Sequence, residues 1–258
     1  MMHKINVYED SIQGSKSLAN LLVEEINFNI NKKGYCTINL PTGNSPINLY
    51  KELSDLYDQK IINFKKVVLF NLDELYPITK KNKESYYYYL HHHLLEKTDF
   101  DKKNIYLLDG NVKEEKLESF CNAYEKRIEN LRGIDIQILG IGRNGHIGFN
   151  EPGSEINSIT RKVKISNHSF KIISKTFNSS EETPREAITI GIKTILAASK
   201  IFLIAWGEKK SSIIKKAIEQ KVNSNCPASY LRKHQNVEYI LDVKSSSKLN
   251  LNRIRKKS

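Results

Sequence analysis

The chain has 258 residues, 39% of them apolar, enough to bury one substantial core within a single domain. Its longest apolar runs, such as residues 200–206, fall well short of the roughly 20 residues a membrane helix needs, and the start Met1-Met2-His3-Lys4 has neither a signal core nor an Arg-rich, acid-poor character. No membrane span and a cytoplasmic location are therefore expected. The formal charge is +12, and six of those charges come from Lys244, Lys248, Arg253, Arg255, Lys256 and Lys257, with no acid after Asp242. A basic balance suits an anionic small molecule and equally a solvated lysine-rich surface.

In chain order, short β-rich runs bounded by turn residues occur at Tyr35 to Leu40, Lys66 to Asn71, Ile134 to Leu139, Ile201 to Trp206 and Val237 to Asp242. Between them, residues 48–58, 85–96, 119–131 and 208–221 carry helical periodicity. Strands alternating with helices predict βα units. The nearly continuous apolar character of each strand predicts helices on both faces, hence a three-layer α/β architecture with a mostly parallel sheet. One domain is expected over 1–243, with a polar flap about 153–187 and a frayed basic tail over 244–258. Six basic residues without an aromatic platform would give only weak, salt-sensitive contact, so no nucleic-acid partner is expected.

Ligands gather at the carboxyl ends of parallel strands, and the informative residues follow strands three times. Leu40-Pro41-Thr42-Gly43-Asn44-Ser45-Pro46 reads as a βα turn with Ser45 as N-cap and Pro46 as first helical residue. Its free N–H groups suit a phosphate, and an ordinary capped turn would look the same. Asp73 and Glu74 close a second strand, where a carboxylate can be a partly buried general base or merely the cap of the next helix. Gly140-Ile141-Gly142-Arg143-Asn144-Gly145 fits the dinucleotide spacing, but the chain runs on into His146 to Gly153, which is poor in helix signals. Those glycines point instead to backbone wrapped around a small ligand. His146, with Asn144 two residues before and Glu151 five after, is an imidazole with two orienting partners, able to move protons between oxygens.

His91, His92 and His93 point about 100° apart on a helix and cannot comfortably share one ion, so no metal is assigned. Cys36, Cys121 and Cys226 are isolated and read as reduced, ordinary thiols.

Taken together, residues 40–46, 70–74, 84–87, 140–153 and 184–191 resemble, in order, the motifs of the glucosamine-6-phosphate deaminase family, and the likeness runs to about Asp242. That resemblance implies a Rossmann-like sandwich and a cofactor-free, metal-free conversion of glucosamine 6-phosphate to fructose 6-phosphate and ammonia, a step of amino-sugar catabolism. It implies that Asp73 moves the C2 proton to C1. His146, held by Glu151 and Asn144, would open the sugar ring, while Gly43, Asn44, Ser45 and Lys210 hold the phosphate. Lys175 stands nearest to where many members place a phosphate-binding Arg, and Asn144 stands where many have Asp. Of the basic residues of the allosteric site found in hexameric relatives, only Arg161, beside Val163, is retained, so the resemblance does not extend to allosteric control. Both hexamers and monomers occur among relatives, so a homo-oligomer is compatible with the resemblance. Competing readings are galactosamine-6-phosphate deaminase, 6-phosphogluconolactonase, which shares the fold and a Gly-His segment, and a non-catalytic sugar-phosphate sensor.

Overall fold

A computed structural model describes residues 3–250 and the backbone of 255–256. The strands are β1 (Lys4–Tyr8), β2 (Cys36–Leu40), β3 (Val67–Asn71), β4 (Asp73–Tyr76), β5 (Ile105–Tyr106), β6 (Ile136–Leu139), β7 (Arg161–Lys164), β8 (Glu186–Thr189), β9 (Lys200–Ala205), β10 (Val237–Asp242) and β11 (Arg255–Lys256). The helices are α1 (Ser11–Lys33), α2 (Ile47–Asp58), α3 (Tyr86–His93), α4 (Leu117–Asn130), α5 (Asn167–Ile173), α6 (Ile192–Leu196), α7 (Ser211–Glu219) and α8 (Val243–Ser246). The main sheet has the order β11-β1-β10-β9-β6-β2-β3-β5, and every neighbouring pair in it is parallel.

Both faces are covered, which is why the strands read as continuous apolar runs. Phe202, Ile204 and Ile240 pack with Leu18, Leu22 and Ile26 of α1 and Leu49 and Leu53 of α2. Ile201, Leu203, Tyr239 and Leu241 face the opposite layer, with Tyr124 and Ile128 of α4 and Ile213 and Ile214 of α7. Each large apolar side chain withdrawn from water contributes about 2 kcal/mol towards the conformational entropy lost. All three cysteines are free and buried within these layers.

Three features depart from the sequence reading. β4, β8 and β7 form a separate antiparallel sheet. The expected flap thus contains β7 and α5, and Ile165, Phe170 and Ile173 join Leu75 and Phe149 in a small core of their own. The chain does not begin to fray at residue 244. Asp242 caps α8 through Ser245 in a reciprocal capping box, Ser245 and Ser246 are buried, and Leu249 joins the main core. The rest of the basic tail, apart from the backbone pairing of β11 with β1, lies outside the described residues. Among the described residues no helix is long and apolar enough to cross a membrane.

Candidate active site

β9, β6, β2 and β3 are neighbours in the parallel sheet, so the loops leaving their carboxyl ends lie side by side. These are the segments that carry Lys210, His146, Ser45 and Asp73.

The loop after β2 is pinned through its carbonyls. Tyr50 Oη donates to the Pro41 carbonyl, Tyr89 Oη to that of Gly43 at 2.5 Å, and Trp206 Nε1 to that of Ser45 at 2.9 Å. Gly43 has φ +93°, a left-handed turn that glycine adopts without strain. Ser45 is not the helix cap. The helix opens one residue later, with Pro46 at the cap position and no side chain satisfying the first turn. The Ser45 carbonyl is drawn to Trp206 instead. Among the described residues the N–H groups of Gly43, Asn44 and Ser45 have no acceptor, which leaves positively polarised backbone at a helix start.

After β3 the chain leaves the main sheet through Leu72, whose N–H donates to the Leu40 carbonyl and whose own carbonyl accepts from Ile190. This step delivers Asp73 to the edge of the small sheet, opposite Thr189. The two acids then separate in role. Glu74 accepts from the backbone N–H groups of Leu75, Tyr86 and Tyr87 at 2.8 to 2.9 Å and so caps α3. Burial raises its carboxyl to about 7 against the pull of those three donors. Asp73 is 7% exposed, and no described residue donates to its carboxylate. Burial, with the neighbouring Glu74 charge adding to it, pushes Asp73 up to about 8. Asn71 Nδ2 holds the Asp73 carbonyl at 2.7 Å.

The loop after β6 opens no helix, so its glycine spacing is not a dinucleotide fingerprint. A methyl group on Gly142 would stand 2.2 Å from the His146 ring, and one on Gly148 would stand 3.5 Å from Asp73 Oδ2. Glycine is therefore what lets the imidazole fold back over the loop at 142, and at 148, with φ +57°, it leaves room for Thr189 Oγ1, which a methyl group would meet at 2.8 Å. His146 Nδ1 lies 3.5 Å from Glu151 Oε2. Asn144 Nδ2 donates to the same oxygen at 2.6 Å, and Asn144 Oδ1 accepts from the His146 N–H at 3.2 Å. Burial acts to raise Glu151, but the His146 hydrogen bond and charge, followed by Ser169 and Asn144, outweigh it and bring the carboxyl down to about 2.

Lys210 follows the Gly207 turn and donates to the Ile141 carbonyl at 2.5 Å. Burial, then nearby Arg143, lowers its pKa. Lys175 is not brought in: it is exposed in the turn after α5, and its ammonium makes no polar contact among the described residues. Arg161 donates to Asn150 Oδ1 at 3.0 Å, beneath the His146 loop. Each of the three histidines of α3 lies beside the tyrosine four residues earlier, with ring centroids 4.4, 6.1 and 4.4 Å apart, and the rings of His92 and His93 meet edge to face at 5.0 Å.

Sequence reasoning missed Ser169 and Thr189. Ser169 Oγ donates to Glu151 Oε1 and lies 3.5 Å from His146 Nδ1, tying the flap helix α5 to the imidazole. Thr189 Oγ1 accepts from the Phe149 N–H at 3.1 Å and steadies the glycine turn beside Asp73. Neither sits in a local pattern that marks it, because both contacts span the fold.

The family model described as glucosamine-6-phosphate isomerases/6-phosphogluconolactonase matches residues 9–240. The chain belongs to this family. It is 40% identical over 248 residues to a glucosamine-6-phosphate deaminase of Clostridium botulinum (strain Langeland), covering 96% of this chain and 99% of the relative. It is 39% identical over 251 residues to a glucosamine-6-phosphate deaminase-like protein of Bacteroides thetaiotaomicron, and spans 38% of that longer relative's length. Among solved structures, a monomeric glucosamine-6-phosphate deaminase superposes with a TM-score of 0.89 at 30% identity, over 95% of this chain and 99% of the other. The 6-phosphogluconolactonase of Trypanosoma brucei superposes at 0.77 with 19% identity, over 96% and 99% of the two chains, which shows the shared fold.

Proposed function

We propose that this member of the family converts glucosamine 6-phosphate and water to fructose 6-phosphate and ammonia. The observation that carries the reading is a buried carboxylate, Asp73, unpartnered among the described residues, beside the loop that holds His146, where a methyl group on Gly148 would stand 3.5 Å from Asp73 Oδ2. Lactone hydrolysis requires only an activated water. An aldose–ketose conversion requires a base that takes a proton from carbon, and a carboxylate raised towards neutral pH is suited to that.

The unengaged N–H groups of residues 43–45 and the ammonium of Lys210 would hold the phosphate at the helix start. His146, oriented by Glu151, Asn144 and Ser169, would pass the proton between the ring oxygen and the C1 hydroxyl that opens the pyranose. Asp73 would then take the proton from C2 and return it to C1. The resulting imine at C2 adds water and expels ammonia. No step requires a metal or an organic cofactor. A cytoplasmic location and a small-molecule partner, without nucleic acid, accompany this reading.

Purified protein in EDTA, offered glucosamine 6-phosphate, galactosamine 6-phosphate and 6-phosphogluconolactone in parallel, is expected to release ammonia from the first. Acid production from the lactone without ammonia from either amino sugar would replace the reading with lactonase, and turnover of the galactosamine substrate alone would reassign its specificity.

A further inference from the structure

A cavity of about 590 Å3 opens at the β5 edge of the sheet and shares no residue with the candidate active site described above. Its floor and walls are aromatic: Tyr87 of α3, Tyr106 of β5 and Tyr124 of α4. Lys80, Lys102 and Arg127 stand around it, and no carboxylate lines it. Two of these cations already lie over rings, Arg127 at 4.9 Å from the Tyr106 centroid and Lys80 at 5.2 Å from that of Tyr87. Lys80 is also paired with Asp109 at 3.0 Å, so Lys102 and Arg127 carry the uncompensated charge. His91, one of the three consecutive histidines that the catalytic reading leaves unused, stacks on Tyr87 in the same wall.

We propose that this cavity binds a nucleoside phosphate as an effector. The half-buried Phe120 ring and the planar Arg127 guanidinium that line the cavity suit a stacked base, Lys102 suits phosphate, and the volume lies within the range of small-ligand sites. A bare sugar phosphate would use the cations and leave the rings idle. The walls also lead to the acid pair. Tyr124 Oη donates to the Asn71 carbonyl at 2.9 Å, and the Asn71 side chain in turn holds the Asp73 carbonyl. From α3, the Tyr87 N–H donates to Glu74 at 2.8 Å. A ligand wedged between α3 and α4 therefore presses on the two supports of Asp73 and Glu74 without reaching either carboxylate.

The test is calorimetric titration of the full chain with ADP, in the presence of saturating fructose 6-phosphate to occupy the sugar-phosphate site, with adenosine and inorganic phosphate as separate titrants. Saturable ADP binding is expected, at least tenfold tighter than for either fragment, and weakened at least fivefold by Arg127→Gln and by Lys102→Gln. Neither residue belongs to the catalytic site, so both variants are expected to retain the ammonia release of the parent. No heat with ADP at millimolar concentration, equal binding of phosphate alone, displacement by fructose 6-phosphate, or binding untouched by both substitutions would each overturn the site. Because it rests on no assumption about the reaction, binding can fail while ammonia release stands. If ADP binds as expected, ammonia release from glucosamine 6-phosphate should change at least twofold in the parent and not in Arg127→Gln. Unchanged release in the parent would overturn the effector role.

Discussion

The strand end that carries Asp73 and the loop that carries His146 and Glu151 hold similar carboxylates in opposite environments. Asp73 is buried with no donor among the described residues and one like charge beside it, and is pushed up to about 8. Glu151 is also desolvated, yet an imidazole, a hydroxyl and an amide converge on it and bring it down to about 2. Burial alone would have made them alike. What separates them is the set of hydrogen-bond partners, and in the proposed reaction that separation would make Asp73 the proton carrier and Glu151 the orienting charge.

Asp73→Asn is the largest way to break this contrast. Loss of a general base is expected to lower kcat by roughly 10^3-fold or more, while binding of fructose 6-phosphate changes little. The same change should stabilise the fold. A carboxyl raised from 3.8 to about 8 contributes stability fully present below its unfolded pKa and lost as pH rises through about 8. The melting temperature of Asp73→Asn relative to the parent should therefore climb between pH 5 and pH 8, and a flat difference would refute the burial argument.

Glu151→Gln should cost kcat on the order of 10^2-fold, because the imidazole loses its charged partner. Here the stability sign reverses. A carboxyl depressed from 4.5 to about 2 contributes stability that is present above its unfolded pKa and lost as pH falls through the folded one. Its melting deficit should be full at pH 6 and shrink towards pH 3, as a melting series across that range would record. Lys210→Ala should act chiefly on KM, raising it about tenfold, equivalent to about 1.4 kcal/mol, with a smaller effect on kcat in steady-state ammonia assays. Ser169→Ala sharpens the contrast most gently. A few-fold fall in kcat at unchanged KM, restored by Ser169→Thr, is expected if the hydroxyl serves only to orient Glu151 and His146.

The parallel sheet was legible because strands covered on both faces leave uninterrupted apolar runs, as at residues 201–205 and 237–241, with glycine or polar turns after them. Val237–Asp242 was located to the residue. The antiparallel β4-β8-β7 sheet was not, since Arg161-Lys162-Val163-Lys164 is a half-buried, mostly charged edge whose pairing partner lies over twenty residues away. Of the candidate site, Asp73, His146, Asn144 and Glu151 could be singled out because Asp73 comes two residues past the end of β3 and the others lie in the loop that leaves β6. The division of labour between Asp73 and Glu74 was not, because it depends on where α3 presents its first N–H groups. Ser45 misled for a related reason: a serine before a proline looks like a cap, but Trp206, 161 residues on, claims its carbonyl. Ser169 reaches Glu151 from a flap whose polar sequence carries no periodic signal.

The most direct measurement is a carboxyl-carbon NMR titration of protein labelled with 13C at Asp and Glu side chains, with Asp73→Asn and Glu151→Gln supplying the assignments. Midpoints near 8 for Asp73 and near 2 for Glu151 are predicted. Two midpoints close to the ordinary carboxylate value of about 4 would contradict the assignment of base and orienting charge.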